Sequence, residues 1–421
     1  MSYTYNEGPK VKNQMEIDHK IVKRIYPRTN NQTSLEFVAE KDPNLCLRLY
    51  SCKLMVAIKY PGDYCADIGI ACKLFNDLRI DFDSQTINST TAQYVSSFKF
   101  FYLMFNFRSQ FPLYNFLSKF CNFNLDFVRS NLAHVEGFGT EFIYLINRDQ
   151  YDTAKELGHD VQMDRIYGVS ADDEGSDNTR YQQFVLNLEG GILNCNQPLL
   201  PNTEVKFSFE RLPARYALFY EKMTDPKATT LDPNKPIDIM DCYLELEYVS
   251  SPYLRNLSSQ IIERPITYHY DDCQIYMKDL PKGAQTLRVN SLCGGLTPEY
   301  IFAGFMPAKC FDPDYIQTSI RFDNPSIQSS CITLNGAPVQ GYPISSMIVD
   351  NPMQLYSKFL DSIHKWKKSA ASSTLPFTVF AQDFCLLSHH FEGEQSNEGW
   401  IGFDIKFTRA TDIDYTFGMN L

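Results

Sequence analysis

Short alternating runs of apolar and polar residues recur along this chain and predict a protein built mainly from β-strands. The clearest run covers residues 45–60, where Leu54, Val56 and Ile58 fall on one face. Further runs of this type cover residues 34–38, 78–84, 183–188, 205–211, 216–220 and 240–249. A turn is predicted at Asp83-Ser84, because short polar residues commonly follow a strand at a reversal. Many short strands with few helices favour Greek-key sandwiches or jelly rolls.

Other segments break this alternation. Amphipathic patterns predict helices over residues 91–120 and 352–368. Residues 147–180 are polar and rich in turn-forming residues, which is typical of a long surface insertion. Residues 1–28 are polar and locally basic, and we expect them to form a flexible arm, either a solvated tail or an arm that contacts neighbouring chains or packaged nucleic acid.

The two halves of the chain resemble each other. Gln182 and Gln382 open similar strands, Gln-Gln-Phe-Val-Leu and Gln-Asp-Phe-Cys-Leu. Three further pairings occur in the same order: residues 205–211 with 405–409, 216–219 with 415–417, and 80–84 with 332–336. Alternating strands match one another easily, but four ordered matches favour the duplication of a whole domain.

A chain of 421 residues is long enough for two cores, which agrees with this duplication. We therefore expect three parts: an N-terminal arm over residues 1–30, a first sandwich over 31–250 with the insertion near 147–180, and a second sandwich over 251–421. The predicted fold class is all-β, with two tandem sandwiches of the Greek-key or jelly-roll type and short helices in the connections.

Composition restricts the partners. The net charge of −11 argues against a nucleic-acid binder and favours protein partners. The 31 Phe and 26 Tyr suit half-buried strands and protein interfaces. The first residues lack the apolar centre of a signal peptide, and no apolar run reaches membrane-spanning length. The 12 cysteines contain no CxxC pair, so we expect reduced, mostly buried thiols in an intracellular chain.

No catalytic motif is present in the sequence, and neither a phosphate-binding nor a dinucleotide-binding glycine pattern occurs. Glu245 and Glu247 share a strand face, as the acids of a glycosidase can. An outward acidic face explains the same spacing, because strand side chains alternate. Sugar stacking would favour several tryptophans, and the chain has only Trp366 and Trp400.

The sequence also gives little support for a metal-binding site. His389-His390 closes a predicted strand, and its two rings should point to opposite faces. The acidic run at 172–177 lacks the ligand order of an EF-hand and predicts a solvated loop, with a bound lattice cation as the alternative. We therefore predict no catalytic, cofactor-binding or metal-binding residues and no enzymatic activity.

The order of elements resembles the double jelly-roll major capsid proteins of Polinton/Maverick (adintovirus-like) elements, which are large self-synthesising DNA transposons. The resemblance covers roughly residues 31–417 and is carried by the opening strands at 34–87, followed by the aromatic helix, and by the segment at 184–220. It continues at residues 284–304 and at the turn containing Asn335-Gly336, although Thr297 stands where leucine is usual.

This resemblance implies a major capsid protein that forms homotrimers with pseudo-hexameric outlines, which tile an icosahedral shell. Its partners would be further copies of itself and penton or minor capsid proteins. It would be found in the virion after assembly inside the host cell, in the nucleus or cytoplasm, and it would bind no specific nucleic-acid sequence. The alternative is a carbohydrate-binding or carbohydrate-cleaving protein with two β-sandwich domains. A single-sandwich penton is disfavoured by the duplication.

Overall fold

A computed structural model describes residues 19–61, 64–67, 69–83, 85–89, 93–94, 169–170, 179–220, 234–250, 275–295, 298–311, 320–345, 352–363, 384–391 and 399–420, with a few single positions between them. In the first half the strands are β1 His19–Ile25, β2 Thr29–Asn30, β3 Ser34–Ala39, β4 Cys46–Pro61, β5 Tyr64–Ala66, β6 Phe75–Phe82, β7 Gln85–Ser89, β8 Gln93–Tyr94, β9 Val169–Ser170, β10 Thr179–Asn187, β11 Val205–Arg211, β12 Leu218–Tyr220 and β13 Asp238–Ser250.

In the second half the strands are β14 Ile275–Leu280, β15 Thr286–Gly295, β16 Tyr300–Pro307, β17 Ile327–Leu334, β18 Ala337–Pro338, β19 Ile344–Ser345, β20 Leu386–His390, β21 Gly399–Phe407 and β22 Tyr415–Asn420. The α-helices described over their whole length are α1 Ile70–Lys73 and α2 Met353–Ser362, and 3₁₀ turns cover Gly191–Asn194, Ala214–Tyr216 and Ala308–Phe311.

Four large sheets form two sandwiches. Sheet 1 has the order β1-β13-β4-β10-β9 and sheet 2 the order β2-β3-β11-β6-β7. Sheet 3 has the order β20-β16-β22-β14-β8, and sheet 4 has the order β15-β21-β17-β18, with β19 also on β17. Strands β5 and β12 form a separate two-stranded ribbon. Almost all pairings are antiparallel, and the short parallel pair of β8 with β14 is the exception among the described strands.

The two sandwiches have the same strand order. The series β1, β3, β4, β6, β7, β10, β11, β13 corresponds in chain order to β14, β15, β16, β17, β18, β20, β21, β22. The first, eighth, third and sixth members of each series form one sheet, and the second, seventh, fourth and fifth form the other. This is the arrangement of a jelly roll with two Greek keys, so the predicted fold class of two tandem jelly rolls is confirmed.

Alternation explains how these strands form the core. In β4 the side chains of Leu54, Val56, Ile58 and Tyr60 point inward and are buried, whereas the residues between them are partly exposed. In sheet 2 the side chains of Phe207 and Phe209 of β11 also point inward and are buried. The Phe209 ring lies 4.9 Å from that of Phe75. One contiguous cluster of buried apolar residues extends through both sandwiches. Tight burial of this kind supplies most of the stabilising free energy.

Two predicted turns are confirmed. Asp83 has a φ of 45° after β6, and Asn335 and Gly336 have φ values of 52° and 82° between β17 and β18. Positive φ at both central residues is the requirement of a tight hairpin, which Asn-Gly meets at little steric cost.

Three sequence-based expectations are corrected. The sequence predicts a flexible arm over residues 1–30, but residues 19–25 form β1, which pairs with β13 over its whole length, and residues 29–30 form β2. The helix expected to begin at residue 91 does not include Gln93–Tyr94, whose backbone pairs with β14, although Phe111–Leu113 are helical. Val169–Ser170 and the start of β10 are strands within the expected insertion. The rest of the arm and most of residues 95–178 lie outside the described residues.

Candidate interaction surfaces

The carboxylates of Glu245 and Glu247 belong to a ladder of ion pairs across sheet 1. Glu247 Oε2 lies 2.5 Å from Lys20 Nζ, and its Oε1 accepts a hydrogen bond of 2.6 Å from Arg48 Nη1. Burial favours the neutral acid, but the hydrogen bonds from Lys20 and Arg48 hold the pKa of Glu247 below its ordinary value. A glycosidase acid needs a raised pKa. This pair of carboxylates is therefore suited to joining strands.

His389 and His390 lie at the end of β20, as the sequence predicts. The His390 ring stacks on Tyr300 at 4.4 Å, and the His389 ring lies edge-on to Phe391 at 4.6 Å. Both histidines therefore pack against aromatic side chains. Within the described residues no cluster of three or more His, Cys, Asp or Glu side chains could hold a metal ion, and the acidic run at 172–177 falls outside them.

The eight cysteines whose side chains the structure describes are free thiols, and most are buried. Burial raises the pKa of Cys242 to about 11 and the pKa values of Cys310 and Cys385 to about 12. A catalytic cysteine needs a lowered pKa so that the thiolate forms near neutral pH. These thiols are therefore inert members of the core.

The junction between the sandwiches combines several direct contacts. The Tyr216 hydroxyl donates a hydrogen bond of 2.6 Å to the Phe311 carbonyl oxygen. Strand β8 leaves the first half and adds to sheet 3 through β14. Near the first-half side of this junction, the fully buried Lys73 ammonium pairs with the Asp67 carboxylate. Burial is the main reason for the raised pKa of the Cys310 thiol in the second half, and these two charges have smaller, opposite effects on it. The two jelly rolls are thus joined by polar contacts as well as by the shared core.

The outer faces of the sheets differ in character. On sheet 3, helix α2 packs its Phe359 ring 6.4 Å from Phe302, so that face is covered. The outer face of sheet 2 carries ion pairs such as Lys206–Glu36 at 3.0 Å. The outer face of sheet 4 is polar as well, with Arg288–Asp404 at 3.3 Å. Among the described parts of the four sheets, sheet 1 alone combines paired charges with an exposed row of apolar and aromatic side chains.

This row crosses four chain segments of sheet 1. The Tyr26 ring lies 5.9 Å from Tyr243 of β13, Tyr243 is opposite Met55 of β4, and Met55 is opposite Val185 of β10. Sequence reasoning assigned residue 26 to the arm and therefore missed the row. These side chains are brought together by the pairing register of strands that are distant in the chain. No local sequence pattern predicts that register.

Similarity to solved structures places the fold among known proteins. No protein-family model matches the sequence, and no curated protein matches it. The fold is similar to a chain in the structure of the Sputnik virophage, with a TM-score of 0.53 and 9% sequence identity over 100% of this chain and 90% of that chain. It is also similar to the major capsid protein of mavirus, with a TM-score of 0.51 and 11% identity over 100% of this chain and 91% of that one.

At such low identity these likenesses show the fold alone, and that fold is the double jelly roll. The described helices include none with the length and hydropathy that a bilayer crossing requires. The candidate functional feature is therefore a pair of joined sandwiches with an apolar and aromatic row on the outer face of sheet 1, and no catalytic centre is visible in the described residues.

Proposed function

We propose that this chain is a viral major capsid protein that self-assembles as homotrimeric, pseudo-hexameric capsomers into an icosahedral shell. The observation that carries the proposal is the identical strand order of two sandwiches within one chain. Two similar domains in each of three chains present six similar units around a threefold axis, which allows hexagonal packing. The likeness to the mavirus major capsid protein supports the same function.

Several finer statements belong to this proposal. The chain divides into an arm before the first strand, a first jelly roll that ends near residue 250, and a second that follows from residue 251. It comes from a Polinton/Maverick element, acts without catalysis, and contacts penton or minor capsid proteins at the shell. It resides in the virion after assembly in the nucleus or cytoplasm of the host cell. The proposal includes no cofactor and no sequence-specific contact with nucleic acid.

The carbohydrate-active alternative is not favoured. The two carboxylates that it would use, those of Glu245 and Glu247, are held in ion pairs with basic side chains, namely Lys20, Arg24 and Arg48. Trp400 is exposed on β21, and its backbone exchanges hydrogen bonds with Asn335 in the turn between β17 and β18. These contacts fasten the end of β21 to that turn.

The test is the oligomeric state of the purified full chain. Mass photometry over a range of concentrations should give a species with three times the monomer mass, and negative-stain images of it should have a hexagonal outline. A protein that remains a monomer at every concentration would contradict the proposal. A monomer that binds a glycan on an array would favour the alternative.

A further inference from the structure

We propose that a second copy of this chain docks on the outer face of sheet 1, an inference that rests on the proposed capsid assembly. The face is defined by the outward side chains of β1, β13, β4 and β10. Within the described residues it carries exposed side chains, whereas the equivalent face of sheet 3 is covered by α2.

The centre of the face is the apolar row. Tyr26 is 60% exposed and Val22 of the adjoining edge strand is 52% exposed, while Tyr243, Met55 and Val185 are partly exposed. Strands lie about 4.8 Å apart, so a row across four neighbours extends over roughly 14 Å. Tyrosine and methionine are enriched at the buried centres of protein interfaces, where they bury large areas at low entropic cost.

Charged side chains that flank the row are already paired within the sheet. Arg24 Nε lies 3.9 Å from Glu245 Oε2, and the Arg24 guanidinium also lies 5.0 Å from the centre of the Tyr243 ring. Glu245 is opposite Lys53 on its other side. Paired charges lose less free energy on desolvation than single ones do, because each keeps its partner when water leaves. The face can therefore be covered at a modest cost.

Charge complementarity points to another copy as the occupant. Five basic side chains, Lys20, Arg24, Arg48, Lys53 and Lys59, project from this face, against four acidic ones on β13. The face is therefore slightly basic, whereas the whole chain has a net charge of −11. The remaining surface of every copy is acidic and is attracted to this face. A contact between two different surfaces of the same chain is the type that closes into a ring with threefold symmetry.

The experiment introduces a charge at the centre of the row. In Met55→Glu the new carboxylate would have to be buried at the contact, so the dissociation constant for self-association should rise roughly tenfold or more. The control, Gln328→Glu, adds the same charge at an exposed position of β17 in sheet 4. The control should associate like the wild type, and both variants should keep the wild-type melting temperature as monomers.

A photo-crosslinking amino acid at position 55 provides an independent readout if Met55→Glu impairs folding. Cross-links between two copies would support the proposal. Cross-links confined to one chain would overturn it, since a segment of the same chain would then cover the face. Unchanged association of a folded Met55→Glu variant would also overturn it while leaving the capsid proposal intact. A wild-type protein that never associates would instead refute the capsid proposal itself.

Discussion

At the scale of single residues, close packing on sheet 3 leaves no room for a side chain at Gly304. A Cβ atom added there would lie 2.5 Å from Phe322 Cδ1 and 2.9 Å from Leu386 Cδ2. Gly418 is directly opposite on β22, and a Cβ atom at that position would meet nothing within 4 Å. These two paired glycines therefore differ in the space around them: Gly418 has room for a Cβ atom, and Gly304 does not.

We predict that Gly304→Ala lowers the free energy of unfolding by about 1–3 kcal/mol, because the methyl group must displace the Phe322 and Leu386 side chains. The matched control Gly418→Ala should change it by less than about 0.5 kcal/mol. Urea denaturation followed by circular dichroism measures both values. Equal losses for the two variants would contradict this account of the covered face.

Glu247 is the residue whose ionisation should contribute to pH dependence. Its pKa is lowered from the ordinary value of 4.5, against the effect of burial, by its hydrogen bonds with Lys20 and Arg48. A carboxyl with a lowered pKa in the folded state stabilises the protein above the unfolded-state pKa. This contribution disappears as the pH falls through the folded-state pKa.

Glu247→Gln should therefore destabilise the protein at neutral pH and flatten the loss of stability below pH 4.5. Thermal melts over an acidic pH series compare the slope with that of the wild type. Glu40→Gln is the control, because the Glu40 side chain is 77% exposed in its pair with Arg28 and such pairs contribute little. An unchanged slope in Glu247→Gln would refute the role given to this carboxylate.

At the scale of elements, alternation in the sequence predicts where strands lie, but short sequence matches are less successful at identifying equivalent strands in the two halves. Two of the four matched pairs lie on equivalent strands: β11 with β21, and β6 with β17. In a third pair, residues 182–186 lie in β10, whereas Leu386 alone of residues 382–386 lies in the equivalent strand β20. The match of residues 216–219 with 415–417 was wrong. The former lie in a 3₁₀ turn and in β12, which pairs with β5, whereas the latter lie in β22, the equivalent of β13. Alternation is common to all strands, so short matches do not identify which strand is which.

Strand β1 was missed for a different reason. Lys20, Lys23 and Arg24 make it as polar as a solvated tail, yet these cations pair with Glu247, Asp42 and Glu245 on neighbouring segments. An edge strand tolerates charge because much of its surface remains in water. The exposed surface of sheet 1 was not predictable either, because it depends on pairings between residues nearly 200 positions apart.

We predict different effects for two truncations. Removal of residues 1–25 deletes β1 and exposes the edge of β13, so the melting temperature should fall or the protein should become insoluble. Removal of residues 1–18 retains β1 and should leave the melting temperature nearly unchanged. Differential scanning fluorimetry of the two proteins measures this contrast, and equal melting temperatures would contradict the structural role of β1.

At the scale of the whole molecule, the two jelly rolls share one contiguous apolar core and the hydrogen bond from Tyr216 to Phe311. Domains with small polar interfaces usually unfold separately. A shared core makes unfolding of one sandwich expose apolar surface of the other, which couples the two transitions.

We therefore predict a single cooperative transition in calorimetry of the wild-type protein under conditions that keep it monomeric. Tyr216→Phe removes one hydrogen bond at the junction and should cost about 0.5–1.5 kcal/mol without dividing the transition. Two well-separated peaks in the wild type would mean that the sandwiches are independent. The variant's midpoint, measured beside that of the wild type, reports the strength of this one contact.

The pairing of β8 with β14 also constrains the order of events during synthesis. Tyr276, the partner of Gln93, lies 183 residues further along the chain. At about 5–20 residues per second, the ribosome needs roughly 10–40 s to supply it, and the first sandwich has time to begin folding meanwhile. During that interval the segment of β14 with which β8 pairs has not yet been synthesised. The pairing of β8 with the second jelly roll is therefore limited by translation, and a nascent chain stalled before residue 275 would carry an unmatched strand that chaperones could bind.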